Sequence, residues 1–336
     1  MPEPQCKSGI HEFIFGALQS ERDELLRFWE VLGFVFDAEG ALGAKAAEAA
    51  YGHASSLVSL QLRHPGCATF NTGLVRLQLW EELRDEGLGN SNPIQTGSRW
   101  MGMYTNDILQ VRDAFLNDAA QNDWALWVSP LVSAPLQKPA PVHNYYGRFV
   151  GLRETLVFGN RFRLAFIQRG GFDRPGFGTF DNNLPFKNTE GSHANVVQLD
   201  NAFSSAFYKL AFDFETAPFG EAHDSGDEPP TIEALRLRPD ETFHVERTRA
   251  VDCPSGLLQI YSSYMPGPDL RDLSRPGSGN LCAYSVRVRD LDRLAAVIGA
   301  TADAELHADR IDEFGERSLT FQAPDGYAWI AVADAE

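Results

Sequence analysis

The sequence predicts an α+β fold, four βαβββ modules paired into two domains, and three observations carry the prediction. An interval recurs: Trp100 to Asp107, His193 to Asp200 and Ala283 to Asp290 are each seven residues, a strand ending on an acid able to cap a following helix. Eight residues past each Asp stands a large apolar residue, Phe115, Tyr208 or Ile298, placed for the inward stripe of that helix. The strand starts His11, Trp100, His193 and Ala283 lie about 90 residues apart, and repeated units of this kind bury their apolar faces only against neighbours. The closing strands also echo one another, Leu77-Gln78-Leu79-Trp80 in unit one and Leu258-Gln259-Ile260-Tyr261 in unit three.

In chain order, GIHEFIFGAL reads as a strand and ERDELLRFWEVLGF as a helix with Leu25, Leu26, Phe28, Trp29 and Leu32 at helical spacing. An Ala-rich segment to about Ala54 precedes the strands SSLVSLQLRHP and GLVRLQLWEEL, and the polar run RDEGLGNSNPIQTGS is a linker. Module two follows as strand WMGMYTND, helix ILQVRDAFLNDAA and strands ALWVSPLV, FVGLRETLVF and NRFRLAFIQ. The Gly/Pro-rich RGGFDRPGFGTFDNNLPFKNTEG is a second linker, without the flanking strand and helix of a phosphate loop. Module three opens on HANVVQLD. The Asp200-Asn201 pair starts a helix with Phe203, Ala206, Phe207, Leu210 and Ala211 on one stripe, and the module ends in LLQIYSSY. Module four comprises AYSVRVRD, LDRLAAVIGA and ERSLTFQAPDGYAWIAVA. The predicted domains are residues 1–170 with modules one and two, a linker over 171–190, and 191–336 with modules three and four.

With 336 residues, 43% apolar content and 23 Phe, the chain can build two sizeable cores. No apolar run approaches the roughly 20 residues of a membrane span, and MPEPQCKSGIHEF lacks the regions of a signal peptide. A cytoplasmic location is expected, with the four scattered cysteines as reduced thiols. A net charge of −17 argues against nucleic acid and anionic membranes as partners. The expected partner is a small molecule, with a homodimer left open.

The strand-to-Asp spacing, the stretch HANVVQLDNAFSSAFY, the helix end FWEVLGF and APDGYAWIAV before the last strand resemble the vicinal oxygen chelate superfamily. That superfamily includes glyoxalase I, bleomycin-resistance proteins, extradiol dioxygenases and 4-hydroxyphenylpyruvate dioxygenase. The resemblance spans nearly the whole chain and implies two glyoxalase-like domains, each curling paired modules around a cleft. It also implies a divalent metal held by the first and last strands of paired modules. Those places fall on His11, Gln78, Trp100 and Arg163 for modules one and two, and on His193, Gln259, Ala283 and Ile330 for modules three and four. Each cleft thus keeps one His and one Gln. Trp, Ala and Ile do not ligate and Arg repels a cation, whereas a first-row divalent ion needs three or four donors. No metal ligand and no cofactor is predicted, although ligands from other strands would restore a divalent site.

Strand alternation names the neighbours of each His. Around His193 it places Asn195, Gln259, Tyr261, Ser285 and Arg287, and around His11 it places Phe13, Phe15, Arg76, Gln78, Trp80, Trp100, Tyr104, Arg161 and Arg163. A His beside Arg, Gln and Tyr suits an anionic or enolisable substrate: imidazole takes a proton and guanidinium grips a carboxylate. The candidate catalytic residues are therefore His193, Gln259, Tyr261 and Arg287. The candidate substrate-binding residues are Asn195, Ser285, His11, Gln78, Trp100 and Arg163. The resembling four-module dioxygenases use their C-terminal pair, which favours the His193 cleft. The expected activity is a lyase or isomerase reaction by His-based proton transfer on a small aromatic or anionic metabolite. The alternatives are a metal-independent sequestering protein of the bleomycin-resistance kind and a metal-dependent dioxygenase or glyoxalase with displaced ligands. For single residues the plain alternative is structural, with His11 and His193 as hydrogen-bonded strand openers and Arg163 paired with Glu154.

Overall fold

The computed structural model describes residues 3–122, 125–135, 151–174, 176–199, 205–217, 223–225, 234–238, 243–263 and 267–334. Module one is β1 (Glu12–Leu18), α1 (Arg22–Val31), β2 (Val35–Leu42), α2 (Ala44–Tyr51), β3 (Leu57–Arg63) and β4 (Leu74–Trp80). Module two is β5 (Arg99–Thr105), α3 (Ile108–Asn122), β6 (Trp127–Val128), β7 (Val132–Pro135), β8 (Gly151–Phe158) and β9 (Arg163–Gly170). Module three is β10 (Asn188–Leu199), α4 (Ala206–Phe212), β11 (Glu215–Thr216), β12 (His223–Ser225), β13 (Phe243–Arg249) and β14 (Leu257–Ser263). Module four is β15 (Asn280–Val288), α5 (Leu291–Ala300), β16 (Glu305–Ile311), β17 (Arg317–Gln322) and β18 (Ala328–Ala333).

The α+β fold of four modules is therefore present. The Ala-rich segment of module one folds as α2, as the high helix propensity of alanine favours, and Gly52 ends it in a left-handed conformation. β10 begins five residues before His193. The Asp200-Asn201 helix start lies outside the described residues. Asp290 does cap α5, its carboxylate accepting from the Arg293 amide.

The pairing of modules differs from the expected one. Strands run β16-β17-β18-β15-β1-β4-β3-β2 in one sheet and β11-β13-β14-β10-β5-β9-β8-β6 in the other. Module one thus joins module four through the antiparallel β1–β15 pair, and module two joins module three through β5–β10. Repeat spacing identifies modules but carries no information on which first strands meet. Here the upstream extension of β10 runs alongside β5, pairing Gly191 with Met103, so consecutive modules two and three close on each other.

One face of each sheet turns to a shared core. Phe13, Phe15 and Leu77 from the first sheet meet Met101, Val196 and Ile260 from the second, with α1, α3, α4 and α5 wedged between them. Phe28 of α1 stacks on Phe162 at a centroid distance of 4.5 Å. Tyr284 of β15 donates a 2.7 Å hydrogen bond across the boundary to the Asn195 carbonyl. All four cysteines are buried and unpaired.

The opposite faces are concave. In the first sheet a Cβ on Gly40 of edge strand β2 would lie 1.9 Å from the Glu313 carbonyl, beyond edge strand β16. In the second, Arg236, which precedes β13, lies over the Trp127 ring of edge strand β6 at 3.9 Å. Each sheet has curled far enough for a loop beside one side to reach the opposite edge strand, as twisted sheets do.

Candidate functional site

Register decides which residues enter each concavity. In the first sheet Glu12 pairs with Ser285, and Ile14 with Arg76. Glu12, not His11, therefore shares the concave face with Arg76 and Gln78; Phe13 and Phe15 point into the shared core. Arg76 is fully buried and holds Glu12 through Nη2–Oε2 at 2.6 Å and Nε–Oε1 at 3.1 Å, while its Nη1 reaches Glu313 Oε1 at 3.2 Å. Gln61 and Ser285 donate to Glu12 at 2.7 Å each, and Ser59 and Tyr51 donate to Glu313 at 2.6 and 2.8 Å. Burial alone would raise the Glu12 carboxyl, but the Arg76 guanidinium outweighs it and holds the group at about 2. A buried ion network is sustained only when its lone pairs and protons are met in this way. Tyr51 of α2 and residues 312–316 close over this network, and beside it a cavity of about 710 Å³ is lined by Tyr51, Arg271, Thr320, Gln322 and Ala328.

His11, Gln78, Ser285 and Arg287 all belong to this first sheet. His11 accepts from Arg287 Nε at 3.1 Å on Nε2, so its Nδ1–H donates to the Asn71 carbonyl at 2.7 Å. Burial lowers its pKa to about 4, leaving a neutral imidazole with both nitrogens engaged. Arg287 pairs with Glu316 at 2.8 Å. Ser285 and Arg287 therefore do not share a face with His193, because module four does not pair with module three. Gln78 is buried, and its Nε2 has no hydrogen bond among the described residues.

The second concavity gathers the other six. Three cross-strand rows line it. The first is Glu154, Ile167 and Tyr104; the second is Leu156, Ala165, Gly102, His193 and Leu257. The third runs from Phe158 and Arg163 through Trp100, Asn195 and Gln259 to Arg247. Trp100, Tyr104 and Arg163 were expected beside His11; they stand beside His193 instead.

His193 is seated by the glycine opposite. A Cβ on Gly102 would lie 2.0 Å from its Nε2, so the ring lies directly over that backbone. Its Nδ1 is 2.9 Å from Ser192 Oγ, and the Tyr104 ring is 6.2 Å away. Burial, helped by Arg247, lowers its pKa to about 3. Gln259 Oε1 accepts from Arg247 Nε at 3.0 Å, and the Tyr261 ring lies 5.2 Å from Trp100. Asn195 Nδ2 donates to the Trp100 carbonyl at 3.1 Å, and its buried Oδ1 has no partner among the described residues.

Arg163 does not pair with Glu154. It lies over the Phe158 ring and bonds to the carbonyls of Arg99, Gly89 and Ser91 and to Ser98 Oγ, while burial lowers its pKa to about 9. It braces the linker before β5.

Sequence reasoning passed over Arg169, Arg247 and the role of Glu154. Glu154 is half-buried and, among the described residues, makes no hydrogen bond or ion pair. Burial raises its pKa to about 7 against the pull of Arg247, although β8 and β13 lie at opposite ends of the sheet. Arg169 stacks over Tyr104 at 4.1 Å. Two signals were present. The alternation Leu152-Glu154-Leu156 puts one acid on an inward apolar face, and Phe243-Val245-Arg247 does the same for a cation.

The metal implied by the family resemblance does not fit either concavity. In the second, Trp100 and Arg163 supply no ligand and Arg247 claims Gln259 Oε1, which leaves His193 and Asn195 Oδ1 on β10 and Glu154 on β8, in no common cluster. In the first, Arg76 claims Glu12, and Ala283 and Ile330 are apolar. Among the described residues no cluster of three His, Cys, Asp or Glu could hold an ion.

No family model matches the chain, and no curated protein matches it. Its structure is similar to glyoxalase I from Zea mays, at 10% identity and a TM-score of 0.52 over 97% of this chain and 92% of that one. A single-site variant of that enzyme gives 11% identity and a TM-score of 0.55 over 97% and 94%. A candidate dioxygenase from Bacillus subtilis gives 12% identity and a TM-score of 0.56 over 99% and 87%. Identities this low speak for fold and not for reaction. With its four βαβββ modules paired into two curled sheets, the chain has a glyoxalase-like fold.

Proposed function

We propose that the concavity of the second sheet binds a small anionic molecule with a flat apolar body and moves a proton on it, in a lyase or isomerase reaction. The observation that carries this reading is the placement of Arg247 on the concave face of the second sheet, in one row with Gln259, Asn195 and Trp100, in a chain whose net charge is −17. Gln259 fixes the Arg247 Nε, and a guanidinium so oriented suits a carboxylate. Trp100 and Tyr261 offer ring faces beside it. In the first concavity Glu12, Arg76 and Glu313 satisfy one another, whereas Arg247 and Glu154 of the second are not so matched, which favours the second. His193 acts there as a neutral hydrogen-bonding group. With a pKa of about 3, its protonation at pH 7 costs roughly 5 kcal/mol.

Benzoylpropanoate is a suitable probe, joining an aromatic ring, a carboxylate and enolisable carbon-bound protons. Calorimetry should show binding, and NMR in deuterium oxide should show protein-dependent exchange of those protons. Arg247→Gln should weaken binding about 10- to 100-fold, as loss of a charge-assisted hydrogen bond implies, and the exposed control Arg27→Gln should not. Equal binding by Arg247→Gln would refute the placement of the ligand. Tight binding without exchange would favour the sequestering protein over the enzyme.

A further inference from the structure

Building on the cleft proposed above, we infer that Glu154 is the residue that carries the proton, taking it from a carbon next to a carbonyl in an anionic aromatic substrate. The geometry sets Glu154 apart. It stands on the concave face of β8, half-buried, with no hydrogen bond or ion pair among the described residues. Other buried acids are committed: Glu12 to Arg76, Glu190 to the Thr179 amide and Ser255, Asp312 to the Phe314 and Glu316 amides, Glu313 to Tyr51 and Ser59, and Asp325 to Tyr208. A carboxylate that an enzyme leaves unpaired in a cleft is available to a substrate proton.

The curl of the sheet puts the complementary charge opposite. Arg247, on β13 at the far side, acts on Glu154 across the concavity. Arg169 on β9, Tyr104 on β5, His193 on β10 and Tyr261 on β14 face the same space. A substrate spanning the cleft would lay its carboxylate on Arg247 and its reacting carbon towards Glu154. The carboxylate then takes the proton, and the C–H electron pair becomes the enolate, whose charge the cationic side of the cleft stabilises. Returning the proton to another carbon or another face completes an isomerisation, and expelling a leaving group from the enolate completes an elimination. Either route balances without an oxidant or a metal. A carboxyl group that burial raises to about 7 is matched to this work near neutral pH.

Infrared difference spectroscopy between pH 5 and 9 on the full chain tests the assignment without a ligand. One protonated carboxyl should disappear with a midpoint near 7, be absent from Glu154→Gln, and shift upward in Arg247→Gln, which removes the charge that favours ionisation. No carboxyl titrating near neutrality, or a difference spectrum that Glu154→Gln leaves unchanged, overturns the inference; burial also raises Glu190, Asp312 and Asp325, whose bands would remain in that variant. With benzoylpropanoate, Glu154→Gln should slow proton exchange by about 10²–10⁴-fold while leaving the dissociation constant unchanged. Wild-type exchange in that variant overturns Glu154 but leaves the cleft standing. A titrating Glu154 in a protein with no affinity for the probe supports the assignment and removes the aromatic-anion ligand.

Discussion

Replacing Arg76 by Met keeps much of the side-chain volume and removes the cation between Glu12 and Glu313. The Glu12 carboxyl sits at about 2 against an ordinary 4.5, and at 1.36 kcal/mol for each pKa unit that difference alone is worth roughly 3 kcal/mol. Glu313 loses its ion pair as well, which places the expected loss at pH 7 at roughly 3–5 kcal/mol, the range for an uncompensated buried charge. The sign follows from linkage. A depressed carboxyl contributes fully above its unfolded value near 4.5, and the contribution is lost as pH falls from there towards 2. The gap between wild type and variant is therefore largest at neutral pH and narrows below about 4.5. Urea denaturation followed by tryptophan fluorescence at pH 7 and pH 4 measures both quantities. A gap of less than about 1 kcal/mol at pH 7, as an ordinary surface substitution gives, would refute the reasoning, as would a gap unchanged at pH 4. Faster amide exchange over 312–316 is expected in the same variant, because Arg76 anchors that loop.

Two further outcomes follow from the histidines. His11 and His193 have folded pKa values of about 4 and about 3, below the ordinary 6.5, so their contribution is full above 6.5 and declines as pH falls towards 4 and 3. Together they should cost roughly 2–3 kcal/mol per pH unit below 6.5; NMR should find neither ring titrating between pH 5 and 8, and titration near 6.5 would contradict their burial. Gly102→Ala should displace the His193 ring, lowering stability by about 1–3 kcal/mol as overpacking does and weakening probe binding. Unchanged denaturation and calorimetry would mean that the imidazole does not rest on that glycine.

The modules were legible because a strand-to-cap interval is a local property, repeated at Trp100, His193 and Ala283 whatever the partners. Which first strands pair is not local, and that single fact redistributed the site. Trp100 and Arg163 moved to His193, while Ser285 and Arg287 moved to His11. On β1 the inward residue proved to be Glu12 and not His11, a slip of one residue that exchanges the two faces of a strand. Glu154 was visible as an inward acid in LRETLVF, but its lack of a partner depends on contacts across the curled sheet, which no spacing along the chain reveals.

The nesting of one module pair inside the other bears on how the protein is made. The second sheet draws on a continuous stretch of chain, whereas the first takes β1–β4 from one end and β15–β18 from the other. During synthesis β1 must therefore wait for β15, about 270 residues later, with an apolar edge unpaired and open to association. The middle of the chain can close first and present Phe162 and Asn195 as a platform on which the two ends meet. Long-range closure of this kind is slow. A fragment ending near residue 170 would carry both β1 and β5 without their antiparallel partners, so the two halves of this chain are not two folding units.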